Sequence, residues 1–355
     1  MSLRRCVWGW WFAVLAVAIV GGNAAAEKMS TFDAGGFRLP AFAVAPDTGV
    51  VAWVNVERLG PAELTQSFTA IRDALPESVR RQLGDPTKEI FAGMLVYGQV
   101  HARAQRAGAR GLVLGVRALN PTTMAYQPPV YAMLHTTPEA TLEGIAAATK
   151  FSPDASVDDP FADAYRLCPG WFAVGTGQLA EPPVRQASNP HARMFAGVLK
   201  READATAVVV VRPNTLLAPL ADMIPMLAQQ EPGLLESWEQ VQQMKGMVMT
   251  LRLGDRPEIA VACHFKSEAA AEAILADFTA NGVSDLISGT AQAGVALDPA
   301  RVDAAMAELR PVRDGKTVTY RFGLDALAAW APLFAEAQPA STAVAPSHTR
   351  NPFRR

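Results

Sequence analysis

The chain has 355 residues, half of them apolar and 19% charged, with a formal net charge of −2. That balance excludes a protein organised around phosphate neutralisation, so nucleic acid is not an expected partner. The length supplies one large hydrophobic core or two ordinary ones.

The first residues read MSLRRCVWGWWFAVLAVAIVGGNAAAEK. Arg4 and Arg5 precede an apolar run from Val7 to Val20, and the small residues Ala24, Ala25 and Ala26 follow. Basic, apolar and small-residue regions in that order predict a secretory signal over residues 1–26, cleaved after Ala26. The apolar run is short for a membrane span, which needs about 20 residues. Its alternative is an uncleaved anchor, with Trp8, Trp10 and Trp11 at the membrane interface. Loss of Arg4 and Arg5 with the signal takes the net charge from −2 to −4. Residues 27–45 are expected to lead into the first folded module as an extended segment.

Beyond that point the chain matches itself. PPVYAMLHTTPEATLEGI (128–145) aligns without gaps on PEIAVACHFKSEAAAEAI (257–274), pairing His135 with His264, Glu139 with Glu268 and Glu143 with Glu272. Upstream, GLVLGVRAL from Gly111 resembles GMVMTLRL from Gly246, and VVAWVNVERLGP from Val50 resembles VVVVRPNTLLA from Val208. Three matches in one order predict two tandem copies of a single module, over residues 46–200 and 203–336. The first copy carries about two dozen extra residues between its opening helix and its second strand, judging by the shift in alignment offset.

Each copy is expected to open on a valine-rich strand, Val50 to Val56 or Ala207 to Val211. An apolar helical stripe follows, through Leu64, Phe68, Ile71 and Leu75 or through Leu216, Leu220, Met223, Ile224 and Leu227. The second copy adds a helix from about Leu234 to Met244. Next come two strands, joined in the second copy by the turn composition GDRP. A helix then starts near Glu139 or Glu268, with Ser267 as a cap and the glutamates at the positive end of the helix dipole. Second hairpins turn at Pro169-Gly170 and Asp314-Gly315, and closing helices run through Met194 and Leu199 or through Leu324 to Phe334. Hairpins in place of long crossovers predict an α+β fold of strand-helix-hairpin-helix-hairpin-helix modules with mainly antiparallel sheets.

No catalytic, cofactor-binding or metal-binding residue is assigned. His135 and His264 are the best candidates for a shared site, yet each stands at a strand end with no second histidine or HExxH pattern beside it, which points to a structural role. Glu143 and Glu272 fall one turn after Glu139 and Glu268, as a solvated acidic face would. GTGQLA at Gly175 to Ala180 fits GxGxxA in letters only, because Pro182 and Pro183 follow where a helix would have to start. Asp154, Asp158, Asp159 and Asp163 compose a polar loop that turn chemistry explains without a cation. Cys168 and Cys263 are expected to be small buried thiols, although export would permit them to pair.

The last residues, QPASTAVAPSHTRNPFRR (338–355), predict a disordered basic tail that could touch an acidic membrane surface. Together, ATAVVVVRPNTLLAPLADMI, MVMTLRL, PEIAVACHFKSEAAAEAI and VAPDTGVVAWVNVERLG resemble signal-bearing exported proteins of planctomycete-type bacteria, over most of residues 46–336. The resemblance implies a duplicated α+β domain and an address outside the cytoplasm, and no site residues. The expected function is an exported, non-enzymatic binding or scaffolding role toward an envelope protein or polymer. The alternative is an exported hydrolase with its site in the cleft between the two modules.

Overall fold

The computed structural model describes residues 31–83, 87–118, 130–149, 165–174, 190–218, 221, 223–227, 229, 233–292, 297–309 and 311–336. The expected signal, the basic tail, the GTGQLA stretch and the aspartate loop lie outside the described residues.

The strands are β1 (Thr31–Asp33), β2 (Arg38–Pro40), β3 (Thr48–Asn55), β4 (Ala109–Arg117), β5 (Val130–Thr136), β6 (Tyr165–Cys168), β7 (Trp171–Val174), β8 (Ala207–Val211), β9 (Met244–Arg252), β10 (Glu258–Phe265), β11 (Val312–Asp314) and β12 (Thr317–Phe322). Ten of them form one sheet in the order β11-β12-β10-β9-β8-β3-β4-β5-β7-β6, and every neighbouring pair in it is antiparallel. The fold is therefore α+β with an antiparallel sheet, as the hairpin-rich pattern predicts. Counted outward from the β3–β8 seam, both halves have the same arrangement: opening strand, two strands of a hairpin, then a second hairpin with its later strand innermost.

The two halves meet at that seam. Val50 to Val54 pair with Val211 to Ala207, so the two opening strands zip the halves into one sheet. Burial explains the choice: an opening strand rich in valine has both faces suited to cover, and left at an edge it would expose unpaired backbone groups.

The helices are α1 (Pro61–Ala74), α2 (Glu77–Leu83), α3 (Thr87–Arg106), α4 (Leu142–Thr149), α5 (Pro190–Arg201), α6 (Pro213–Leu216), α7 (Ile224–Leu227), α8 (Gly233–Gln243), α9 (Glu268–Gln292), α10 (Pro299–Ala307) and α11 (Leu324–Glu336). Their starts follow local chemistry. Pro61 opens α1 behind Gly60, and Ser67 within it is buried. The Ser267 hydroxyl accepts from the amide of Ala270 at 3.1 Å, and Asp298 accepts from Ala300 at 3.0 Å. Between α1 and β4 the chain forms α2 and α3. On α3 the buried His101 ring nitrogen lies 2.6 Å from the Val56 carbonyl, which ties the helix to the end of β3.

Alternation along the strands divides the side chains between two faces. On one face Ala132, Leu134 and Phe172 pack with Ile145 of α4, and in the other half Cys263, Phe265 and Val318 pack with Ala271 of α9. On the opposite face Val51, Trp53, Val113, Tyr131, Met133, Trp171, Val208, Val210 and Val248 share one core with Phe195, Val198 and Leu199 of α5. The segment before β3, expected to be merely extended, completes that core. It folds as the β1–β2 hairpin and a 3-10 turn over Ala41–Ala43, burying Leu39, Phe42 and Val44. Tyr131 anchors it: its hydroxyl lies 3.0 Å from the Thr48 hydroxyl, donates to the Ala43 carbonyl at 3.2 Å and accepts from the Ala45 amide at 3.4 Å. Burial pushes that phenol up to about 12.

Candidate functional site

The hairpin and the sheet do not close completely on each other. At the end of the sheet where β3 finishes, a cavity of about 590 Å³ lies between the hairpin tip and the ends of β3, β4, β5 and β7. That volume is in the range of small-molecule sites. Strand register builds its floor: Asn55 faces Gly111, Gly111 faces His135, and His135 faces Trp171 across three successive ladders.

Gly111 is required there. A Cβ at that position would stand 1.9 Å from the Trp53 ring, so the indole lies across the strand only because the side chain is missing. Trp53 and Trp171 are buried, and the ring of Phe37 comes down onto them from the hairpin tip, beside a direct contact of Trp53 with His135 at 6.0 Å. Phe37 stacks on Trp53 with ring centres 4.5 Å apart and planes 18° from parallel. It is tilted against His135 at 4.8 Å and against Trp171 at 6.2 Å, and His135 meets Trp171 at 4.8 Å. Such pairs contribute about 0.5–1.5 kcal/mol each beyond burial.

His135 is the anomaly of this cluster. Its Nδ1 is shut off from solvent and has no hydrogen-bond partner. A buried nitrogen left so costs about 1–3 kcal/mol. Desolvation, aided by the nearby Arg110 guanidinium, holds the imidazole down to about 4, so the ring is neutral at physiological pH. Around the rim, Arg110 pairs with Glu57, and Glu202 accepts from Arg252 at 2.7 Å. Cys168 also lines the cavity, and burial pushes its thiol up to about 11.

His264 behaves differently. Its Nδ1 lies 3.0 Å from the Thr317 hydroxyl, inside its own half, and burial holds its pKa below the ordinary value. Gly246 faces His264 as Gly111 faces His135, and both histidines project from the same sheet face. The register sets them at opposite ends of it. His135 is level with Asn55 and His264 with Gly49, six residues along β3, or roughly 20 Å at about 3.3 Å per residue. The structure therefore does not bring the two together. Glu139, Glu143, Glu268 and Glu272 are all exposed, as a solvated face requires. Cys168 and Cys263 are both free thiols, one on β6 and the other on β10. Among the described residues no cluster of three or more histidines, cysteines or carboxylates is placed to hold a metal ion.

The residues that sequence reasoning missed are Phe37, Trp53, Trp171 and Arg110. A signal for one of them was present: Gly111 inside an apolar strand marks a position where another group approaches the backbone closely.

No family model matches the sequence, and neither does any curated protein. Among solved structures the chain is similar to crystal form I of TP0453, at 8% identity and a TM-score of 0.34, covering 84% of this chain and 96% of that one. Crystal form III of TP0453 is similar at 7% identity and a TM-score of 0.26, covering 83% and 97%. Likeness at that level assigns neither a site nor an activity.

Proposed function

We propose that this chain is an exported, non-enzymatic envelope protein that binds a small ligand in the cavity beneath its N-terminal hairpin. Export rests on the basic, apolar and small-residue order of residues 1–26, and on the resemblance of residues 46–336 to signal-bearing exported proteins of planctomycete-type bacteria. Among the described residues no helix is long and apolar enough to cross a membrane. Binding rests above all on the cavity of about 590 Å³ that the hairpin tip leaves over Trp53, His135 and Trp171, a volume in the range of small-molecule sites.

The same cavity argues against the hydrolase reading. A cysteine nucleophile needs a lowered thiol pKa and a histidine that can carry charge beside it. Here the Cys168 thiol is pushed up to about 11 and His135 is held at about 4, so both are uncharged at neutral pH. The seam between the halves, where that reading put its cleft, is spanned by the β3–β8 ladder.

The test is to express the full chain in a bacterium with a periplasm, isolate that fraction and determine the N-terminus. Glu27 as the first residue is expected; retention of the protein in the cytoplasm with residues 1–26 attached would refute export. Native mass spectrometry of the purified protein, before and after gentle denaturation, should reveal a small molecule carried unchanged. Chemical conversion of that molecule by the folded protein would restore the enzyme.

A further inference from the structure

We infer that the cavity beneath the hairpin takes a small monocarboxylate with an apolar body, and that Arg38 of β2, one of the residues lining it, holds the carboxylate. The inference rests on the binding reading above and names its ligand class.

The charges around the cavity leave one cation over. The charged side chains of its lining are Arg38, Arg110, Glu57 and Glu202 among the described residues. Arg110 pairs with Glu57. Glu202 belongs to a balanced network around the β9–β10 turn, in which Arg252, Arg58 and Arg321 face Glu202, Asp204 and Glu258. Asp33 lies within electrostatic reach of Arg38, but its two oxygens are taken by the Lys200 ammonium at 2.7 Å and the Gly35 amide at 3.1 Å. Arg38 itself has no carboxylate partner among the described residues. Its Nε–H donates to the Thr31 hydroxyl at 3.0 Å and Nη2 reaches the Thr31 carbonyl at 3.5 Å, which steadies the guanidinium against the opposite leg of the hairpin and leaves Nη1 unbonded. His135 and Cys168 add no charge, both being neutral at physiological pH.

Hydrogen bonding in the same lining favours an acceptor. Oδ1 of Asn55 accepts from the amides of Glu57 at 3.1 Å and Arg58 at 3.3 Å, which fixes the orientation of that side chain and leaves Nδ2 a donor without a partner. The guanidinium and the amide nitrogen both donate, and an ionised carboxylate only accepts. The fork of an arginine matches the two oxygens of a carboxylate. One spare cation matches one negative charge, so a dianion such as a phosphate monoester would keep half its charge unmatched where water is partly excluded. A cationic ligand would have to take a carboxylate away from Arg110 or Arg252. The apolar body follows from the rest of the lining, where Ala34, Phe37, Trp53, Trp171, Leu199 and Ala205 supply carbon surface.

The experiment uses the full chain and two probes with one apolar body, hexanoate and 1-hexanol, titrated by amide NMR into wild type, Arg38→Gln, Arg38→Lys and Arg103→Gln. Wild type should prefer hexanoate by about tenfold, the worth of a charge-assisted hydrogen bond. Arg38→Gln should lose that preference, and Arg38→Lys, a cation without the fork, should keep part of it. Arg103→Gln removes a cation of α3 that does not line the cavity and should keep the preference whole. Raising sodium chloride to about 0.5 M should weaken hexanoate and leave hexanol unchanged. Bound hexanoate should shift the side-chain amide resonances of Asn55. Absence of hexanoate binding, equal affinity for the two probes, a preference that survives Arg38→Gln or is lost equally in Arg103→Gln, or unshifted Asn55 resonances overturns the inference. Should Arg38→Gln loosen the hairpin, the salt dependence and the Asn55 shift in wild type still decide. Native mass spectrometry separates the ligand class from the binding reading beneath it. A carried molecule that is neutral or cationic overturns the class and leaves binding in the cavity standing, whereas a protein that carries nothing and takes up neither probe overturns both.

Discussion

Replacing His135 by leucine should change how stability depends on pH more than it changes stability at neutrality. At pH 7 the variant sheds an unpaired buried nitrogen, a gain of about 1–3 kcal/mol, and loses ring contacts to Phe37 and Trp171 worth about 0.5–1.5 kcal/mol each. These offset, so the variant should lie within about 1 kcal/mol of wild type. The pH term does not offset. In the unfolded chain the imidazole has its ordinary pKa of 6.5, and in the folded chain burial holds it to about 4. Between those values the unfolded state binds the proton and the folded state does not, so stability falls as the pH drops from about 6.5 toward 4. Linkage with these two values gives a loss of about 2 kcal/mol between pH 7 and pH 5, an upper figure because the ring is partly exposed. His191 and His264, whose pKa values are also lowered, contribute alike to both proteins and cancel in the comparison. Urea unfolding at pH 7, 6 and 5 measures the difference directly. Parallel stability curves for wild type and His135→Leu would refute the claim that this imidazole is buried and neutral.

Two further substitutions test how the sheet is covered. Tyr131→Phe removes the hydroxyl shared by Thr48, Ala43 and Ala45 and should cost about 1–3 kcal/mol in urea unfolding, with earlier hydrogen exchange in residues 41–45. Ser67→Ala breaks the bond that the Gly254 amide donates to Ser67 at 2.7 Å, the link from α1 to the β9–β10 turn, and should cost about 1 kcal/mol by the same assay.

The alternation and turn chemistry that define strands and hairpins are local, so β5, β7, β10 and β12 with their turns at Pro169-Gly170 and Asp314-Gly315 are legible in the amino-acid order alone. The pairing of β3 with β8 is not, because a valine-rich run specifies a buried strand without specifying its neighbour. Helix α3 is hard to read because it lies between the stretches of the sequence that match each other, with nothing to align to, and its apolar residues are diluted by Gly98, Gln99, Arg103 and Arg106. The site is the least legible part. His135 stands out through its match with His264, but its surroundings come from Phe37, Trp53 and Trp171, three residues widely separated in sequence. Strand pairing brings Trp53 and Trp171 to His135, and the fold of residues 31–45 back onto the sheet adds Phe37.

The two halves therefore share a frame and differ in what covers it, and one pair of substitutions separates the two properties. Gly111 and Gly246 hold corresponding places, each facing a histidine across a strand pair. Were the glycines kept for backbone reasons common to both halves, Gly111→Ala and Gly246→Ala should cost similar amounts. Their surroundings predict otherwise. A Cβ at 246 meets the Val211 carbonyl oxygen at 3.2 Å, a contact relieved by a shift of a few tenths of an ångström. A Cβ at 111 falls 1.9, 2.3 and 2.6 Å from three atoms of the Trp53 ring, which Phe37 blocks from the other side. The indole must leave its place, so Gly111→Ala should cost about 1–3 kcal/mol as an overpacked core does, and Gly246→Ala under about 1 kcal/mol. Trp53 fluorescence should shift in the first variant only, and Phe37→Ala, by freeing room for the indole, should recover part of the loss. Equal costs in the two glycine variants would show that the aromatic cluster of Phe37 and Trp53 does not depend on the missing side chain at 111.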